Sequence, residues 1–243
     1  MSKGKVLITF DDGIANHSWA ALELSGRGLQ GVFGVVAGKI DAPGFCTERQ
    51  LGQMQADGHV IINHSWSHGK FVGGDPRGYL KDFSEEEIIE DYEKGRDWLN
   101  KLGFSGDFYM VPFGTANLNE NTFNKINETA RWIRLTIGCL IDGEWSPQGN
   151  KRIFPVDYND SCIGITCAAD CRFPNEVKQK IEEACKVGGL CVLCYHDVCS
   201  VVGEDQKITW ERFGSDIKYI AKKIKDGELE CVLPDDIIRS KNE

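Results

Sequence analysis

Lys5-Val6-Leu7-Ile8-Thr9-Phe10-Asp11-Asp12-Gly13 is the stretch on which the reading of this chain turns. Its first residues are β-forming and mostly apolar, and they stop at two adjacent carboxylates and a glycine. That is a strand running into a turn. Two carboxylates side by side at a strand end repel each other, so the pair asks for a cation or a shared proton. Asp-Asp-Gly alone is most often just a turn; what accompanies it elsewhere in the chain decides its meaning.

Outward from this point, short apolar strands alternate with amphipathic helices. Ser18–Ser25 and Glu48–Asp57 read as helices, and Gly31–Val36 and Val60–Asn63 as strands. Ser84 followed by Glu87 forms a capping box for a long helix with Ile88, Ile89, Tyr92, Leu99 and Leu102 on its apolar face. Its acidic start, Glu85–Glu87, suits the helix dipole and needs no ligand. Phe108–Val111, Trp132–Ile137, Cys191–Tyr195 and Glu230–Val232 read as further strands, with helices over Asn121–Glu128, Asn175–Cys185 and Glu211–Asp226. Such alternation predicts an α/β fold with a mostly parallel sheet or barrel. No linker or repeat divides the 243 residues, so 1–243 reads as one domain.

Only five histidines are present, and three of them fall at predicted strand ends, where α/β barrels place their chemistry. His64-Ser65-Trp66-Ser67-His68 spaces two imidazoles at i and i+4, which predicts a shared face on a helical turn. With one carboxylate they make a three-ligand set that leaves room for water and substrate, as a catalytic zinc requires. His196-Asp197 directly follows the strand Cys191–Tyr195. His17 and His59 have no such company and read as ordinary polar positions.

Composition narrows the function. The formal charge is −9, with no cluster of Lys and Arg, which argues against nucleic acid as a partner. No apolar stretch approaches the roughly 20 residues of a membrane span. The N-terminal apolar run ends at the Asp pair with no cleavage site after it, so a cytoplasmic location is expected. The ten cysteines read as buried free thiols, a disulfide or structural metal being the alternative. Cys191 and Cys194 sit three apart on one strand and so point to opposite faces, badly placed to share a metal.

Thr9–Gly13 and Asn63–His68 together resemble the polysaccharide deacetylase family, the NodB-homology domain of carbohydrate esterase family 4. Gly31–Val36, Gly58–Ile62, Pro112-Phe113-Gly114 and the stretch through Leu193 and His196 extend the resemblance over nearly the whole chain. The family's fold is a distorted (β/α) barrel. The resemblance implies that Asp12, His64 and His68 bind a divalent metal, usually zinc, with cobalt or another divalent ion also possible. It implies that Asp11 is the general base toward the water the metal activates, and that His196 protonates the leaving amine. It assigns the oxyanion to the Phe113 N–H beside Pro112, and the acetyl methyl to a pocket lined by Leu193.

Two departures from the family pattern stand out. Met110 occupies the place of an arginine that orients the base carboxylate, with Arg131 and Arg134 nearby in sequence as possible substitutes. Asp142-Gly143-Glu144-Trp145 matches the acidic-aromatic motif only loosely, with Asp142 or Glu144 as partner for His196 and Trp145 beside substrate. The expected activity is removal of N-acetyl, or O-acetyl, groups from an acylated oligo- or polysaccharide or a nucleotide- or lipid-linked sugar. Two alternatives remain open: a metal-retaining glycan-binding protein without catalysis, and an amidase acting on a non-sugar amide.

Overall fold

The computed structural model describes residues 2–69, 83–112, 118–135, 139–141, 144–146, 162–164, 169–170, 175–200 and 207–239. In chain order, β1 is Gly4–Phe10, α1 His17–Ser25, β2 Val32–Val35, α2 Glu48–Ala56, β3 Val60–Asn63, α3 Glu85–Lys101 and β4 Ser105–Met110. These are followed by α4 (Glu120–Asn127), β5 (Trp132–Leu135), the pair β6 (Cys139–Ile141) and β7 (Glu144–Ser146), β8 (Cys162–Gly164) and β9 (Ala169–Asp170). The chain closes with α5 (Glu176–Val187), β10 (Leu190–Tyr195), β11 (Asp197–Cys199), β12 (Lys207–Thr209), α6 (Trp210–Lys225), β13 (Leu229–Cys231) and α7 (Pro234–Arg239). The capping box on α3 is present, and α2 carries a second one between Thr47 and Gln50. Sequence alone does not announce the short strands β6–β9, β11 and β12, each of two or three residues.

The main sheet runs β8-β5-β4-β3-β2-β1-β10-β9, with β13 on the same edge of β1 as β2. β13 pairs with Gly4–Val6 and β2 with Thr9–Phe10, so one edge of β1 serves two partners in succession. Every pairing in this sheet is parallel. The sheet curls into a half-barrel with helices on its outer face, the α/β architecture expected from the alternation.

Side-chain alternation along the strands sorts residues onto the two faces. On the outer face Val6, Ile8, Phe10, Cys191, Leu193 and Tyr195 pack with Ala20 and Leu24 of α1, Ile181 of α5 and Phe213 and Ile217 of α6. On the inner face Leu7, Ile62, Phe108, Met110, Trp132 and Val192 form a second apolar cluster that also takes in Ile237 of α7. Continuing each inner-face series toward the C-terminal strand ends reaches Asp11, His64, Arg134, Cys194 and His196. The inner face is thus apolar at one end and chemical at the other, as a barrel of this kind requires.

His17 and His59 are not peripheral. Both are buried, and His59 Nδ1 accepts the Gly31 N–H at 3.0 Å while Nε2 meets the Ala21 carbonyl at 3.1 Å. With Nδ1 accepting, Nε2 carries the proton and donates, so the ring ties α1 to the start of β2. Burial keeps its pKa below the ordinary histidine value. Sequence reading could not see this, because a buried, satisfied imidazole has no spacing signature.

α3 approaches the loop after β3 closely enough to need a glycine. A Cβ on Gly95 would lie 2.9 Å from the Ser65 carbonyl carbon and 3.0 Å from the Trp66 nitrogen. Glycine inside a helix ordinarily costs about 0.5–1 kcal/mol relative to alanine, and at Gly52 of α2, where nothing lies within 4 Å of the added carbon, Gly52→Ala is expected to stabilise by that amount. Gly95→Ala is expected to destabilise by about 1–3 kcal/mol instead, because the backbone it meets cannot rotate away. Urea unfolding of the two variants checks the opposite signs.

Candidate active site

β1 delivers Asp11 and Asp12, β3 delivers His64, the loop behind it His68, and β10 delivers His196. The Asp11 N–H bonds the Tyr195 carbonyl at 2.9 Å, continuing the β1–β10 ladder one step past the strand and fixing the two ends side by side. Asp12 then turns with a φ of +83°. Ser65 and His68 also have left-handed backbones, with φ of +69° and +63°. Non-glycine residues avoid that region, and their concentration here marks a strained, over-determined site.

Asp12, His64 and His68 bring one ligand atom each to within 4.8 Å of one another. The Asp12 Oδ1 lies 3.1 Å from His68 Nε2 and 3.5 Å from His64 Nε2. The His64 Nδ1 meets the Met110 carbonyl at 2.9 Å. A carbonyl only accepts, so Nδ1 carries the proton and Nε2 presents its lone pair inward, the tautomer a metal needs. Burial pushes the His68 pKa down; at Asp12 burial works to raise the pKa, but the neighbouring imidazoles outweigh it and hold the carboxyl well below the usual carboxylate range. One carboxylate and two imidazoles, with an outer hydrogen bond already made by His64, fit a divalent cation.

The two histidines do not share a helical turn, contrary to the expectation from their i, i+4 spacing. Residues 64–69 form an irregular loop, and the left-handed turns at Ser65 and His68 bring the rings to 4.9 Å between centroids. α3 braces that loop. Asp91 accepts the Ser67 N–H at 3.1 Å with its carboxylate and the Trp66 N–H at 3.0 Å with its backbone carbonyl. The Ser65 hydroxyl accepts the His68 N–H at 2.8 Å.

Asp11 faces the other way, toward Arg134. The guanidinium Nη2 donates to Asp11 Oδ1, and the two side chains are 0% and 4% exposed. Arg134 stands on β5 directly opposite Met110 of β4 in the parallel register. The cation missing at Met110 is therefore supplied from the neighbouring strand. Met110 instead fills the inner face, where an added Cβ on Gly34 would come within 2.7 Å of its sulfur. Arg131, the other candidate, pairs with Asp235 at the surface. Burial would raise the Asp11 pKa; Arg134 first, then His64 and His196, offset it and hold the carboxyl below its ordinary value.

His196 Nε2 lies 4.0 Å from Asp11 Oδ2. Burial pushes its pKa down, but Cys194, Asp11 and Asp12 together lift it to about 10, so the ring holds a proton at neutral pH. A divalent cation on Asp12 would repel that proton and draw the value back toward neutrality. α1 anchors the segment: His17 Nε2 meets the His196 carbonyl at 2.8 Å and Asn16 donates to Asp197 Oδ1 at 2.9 Å.

Leu193 is misplaced by the reading that set it in an acetyl pocket. Its side chain sits on the outer face in the helix-packed core, and its carbonyl accepts the Thr9 hydroxyl at 2.6 Å. Cys194, the next residue, is the one on the inner face, as strand alternation from His196 could have indicated. Pro112 is buried two residues past the end of β4. Phe113 and Asp142 lie outside the described residues. Glu144 and Trp145 belong to the backbone of β7, antiparallel to β6, and their side chains lie outside the described residues too.

A sequence model of the family described as polysaccharide deacetylase matches residues 1–130, more than half of the 243-residue chain. The chain belongs to the polysaccharide deacetylase family. No curated protein sequence matches it. Among solved structures, this family member is similar to a T48 deacetylase determined with substrate, at 16% identity and a TM-score of 0.59 over 98% of this chain and 92% of that one. It is similar to the peptidoglycan deacetylase PdaC from Bacillus subtilis, at 16% identity and a TM-score of 0.58 over the same shares, 98% and 92%. It is also similar to a family 4 carbohydrate esterase from Streptomyces lividans in complex with acetate, at 15% identity and a TM-score of 0.53 over 97% and 96%. At these identities the likeness is one of fold. Among the described residues, no helix is long and apolar enough to cross a membrane.

Removing the guanidinium strands a buried carboxylate, so Arg134→Met is expected to cost about 3–5 kcal/mol at neutral pH. The Asp11 pKa is lowered in the folded protein, so the stabilisation is present above the unfolded value, near about 4, and fades as pH falls through the lowered one. In Arg134→Met only His64 and His196 remain to oppose burial, so the Asp11 pKa is expected to rise. The gap between the two proteins should narrow as pH falls through the variant's raised value toward about 4 and close as it falls on through the wild type's lowered one, which urea titrations of the chelator-treated proteins over a pH series would read.

Proposed function

We propose that this chain is a metal-dependent deacetylase that removes N-acetyl groups, with O-acetyl groups as the related case, from a carbohydrate. The observation that carries the reading is the buried Asp11, held by Arg134 on one oxygen and facing His196 with the other, beside the convergent Asp12, His64 and His68. An acylated oligo- or polysaccharide is the substrate class favoured by family membership, with nucleotide- or lipid-linked sugars as smaller members of that class.

A zinc ion held by Asp12, His64 and His68, or a cobalt or other divalent ion in its place, would act as a Lewis acid toward the acyl carbonyl and lower the pKa of a water. Asp11 takes the proton from the attacking water, its carboxylate kept ionised and aimed by Arg134. His196 in its protonated form gives its proton to the departing nitrogen, and its position across Asp11 lets one carboxylate and one imidazolium serve the two proton transfers. In this proposal the Phe113 N–H after Pro112 stabilises the oxyanion, Trp145 borders the sugar, and Asp142 or Glu144 adds a second partner to His196. The complex of the Streptomyces lividans esterase with acetate fits acetate as the product here. Because Arg134 takes up the charge absent at Met110, that methionine no longer favours a protein that binds glycan without hydrolysing it.

Acetate release from N-acetylglucosamine oligomers, measured with metal content on the same samples, tests the proposal. Wild type should hold about one zinc per chain and release acetate. Asp11→Asn should keep the metal and lose at least about a hundredfold in kcat, while His64→Ala should lose both. Full metal occupancy with no release from any acyl sugar would sink the reading.

A further inference from the structure

The proposed reaction gives Cys194 nothing to do, yet its thiol stands among the proton-transferring groups. Cys194 Sγ lies 4.0 Å from His196 Nδ1, and His196 Nε2 lies 4.0 Å from Asp11 Oδ2. One ligand atom from each of Asp11, Cys194 and His196 falls within 4.8 Å of the others. The backbone forces this meeting. Cys194 and His196 are two apart and share the inner face, and the β1–β10 register sets Thr9 against Cys194 and so brings Asp11 beside His196. Asp11 and Cys194 are buried, while His196 is partly open to solvent.

We infer that Asp11, Cys194 and His196 form a second cation site, selective for a thiophilic divalent ion such as zinc or cadmium, and that filling it inhibits the enzyme. Thiolate, imidazole and carboxylate are the three donor types zinc takes, and three of them leave a fourth position for water. Ligand atoms around a tetrahedral zinc stand about 3.3–3.8 Å apart, so the present spacing needs a contraction of about 1 Å, within reach of side-chain rotation. The Asp12, His64 and His68 set has no sulfur, so a soft ion distinguishes the two sites.

The same neighbours set the order of filling. Arg134 already holds Asp11 Oδ1, leaving Oδ2 for a cation, and its positive charge weakens that cation's binding. The first metal therefore goes to Asp12, His64 and His68, and the second site fills only when metal is in excess. An ion there takes the Asp11 oxygen and the His196 ring that the proposed hydrolysis uses. The inhibitory consequence rests on the deacetylase reading; the binding itself does not.

Cadmium titrated into the zinc-loaded protein tests both parts, with thiolate-to-cadmium charge-transfer absorption in the near ultraviolet and acetate release followed together. The wild type should develop the absorption band, saturating at one added equivalent, and lose activity in step. Cys194→Ser should lose the band and need at least about tenfold more cadmium for half-inhibition, relative to its own uninhibited rate. Cys194→Asp should regain inhibition by excess zinc without the band, and Cys191→Ala, altered on the outer face of the same strand, should keep both. No band in wild type, or a band that persists in Cys194→Ser, overturns the site. Equal cadmium sensitivity in wild type and Cys194→Ser overturns the inhibition. A Cys194-dependent band in a protein that hydrolyses no acyl sugar would leave the site standing and remove the deacetylase reading instead.

Discussion

Parallel pairing of β1 with β10 over its whole length, Lys5 against Leu190 through Phe10 against Tyr195, is the constraint from which the rest of the site follows. It sets the carboxylate pair and His196 at one sheet end, and it places Cys194 level with Thr9. The pairing is central because β1 is buried along nearly all its length and spends its other edge on two further strands. A one-residue slip in this register would turn Asp11 into the helix-covered core and Asp12 onto the inner face. The apolar residues on both faces of β1 therefore specify the chemistry as firmly as the acidic residues do.

Charge is balanced locally around that end. Asp12 meets His64 and His68, Asp11 meets Arg134, and His196 lies across from Asp11. Asp11 is buried and Asp12 half-buried, and desolvation works against each. What keeps both ionised is that their partners are on different strands and approach from different sides. An acidic chain can keep such a site because the compensating charges are few and placed by the sheet.

Much of this was legible in the sequence, for identifiable reasons. The alternation of strands and helices, the Ser84 capping box and the β1 run are periodic or local signals, and local signals survive without a structure. The α/β class with a mostly parallel sheet or barrel followed from them, and the distorted barrel from the family resemblance. Placement of His64 and His68 was foreseen, but its means was not. The i, i+4 spacing suggested a helical turn, whereas positive φ at Ser65 and His68 does the work, and side-chain identity gives no warning of that. Leu193 was set on the wrong face although the period of two, counted back from His196, points to Cys194. Arg134 was within view as a nearby arginine, but its reach depends on the register of β5 against β4, which no single strand encodes. His17 and His59 were read as ordinary because their roles are tertiary: each ties α1 to a distant segment.

The cross-strand match of Met110 with Arg134 also bears on how relatives of this chain are compared. Two adjacent parallel strands offer the same carboxylate oxygen to side chains from either of them, so a guanidinium can change its strand of origin without moving in space. An alignment that follows the chain counts such an exchange as a lost residue and a gained one, far apart and unrelated. A comparison that follows the rungs of the sheet counts it as one charge kept. A motif inventory drawn along the sequence marks this chain as deficient at Met110, although its Asp11 has a guanidinium partner.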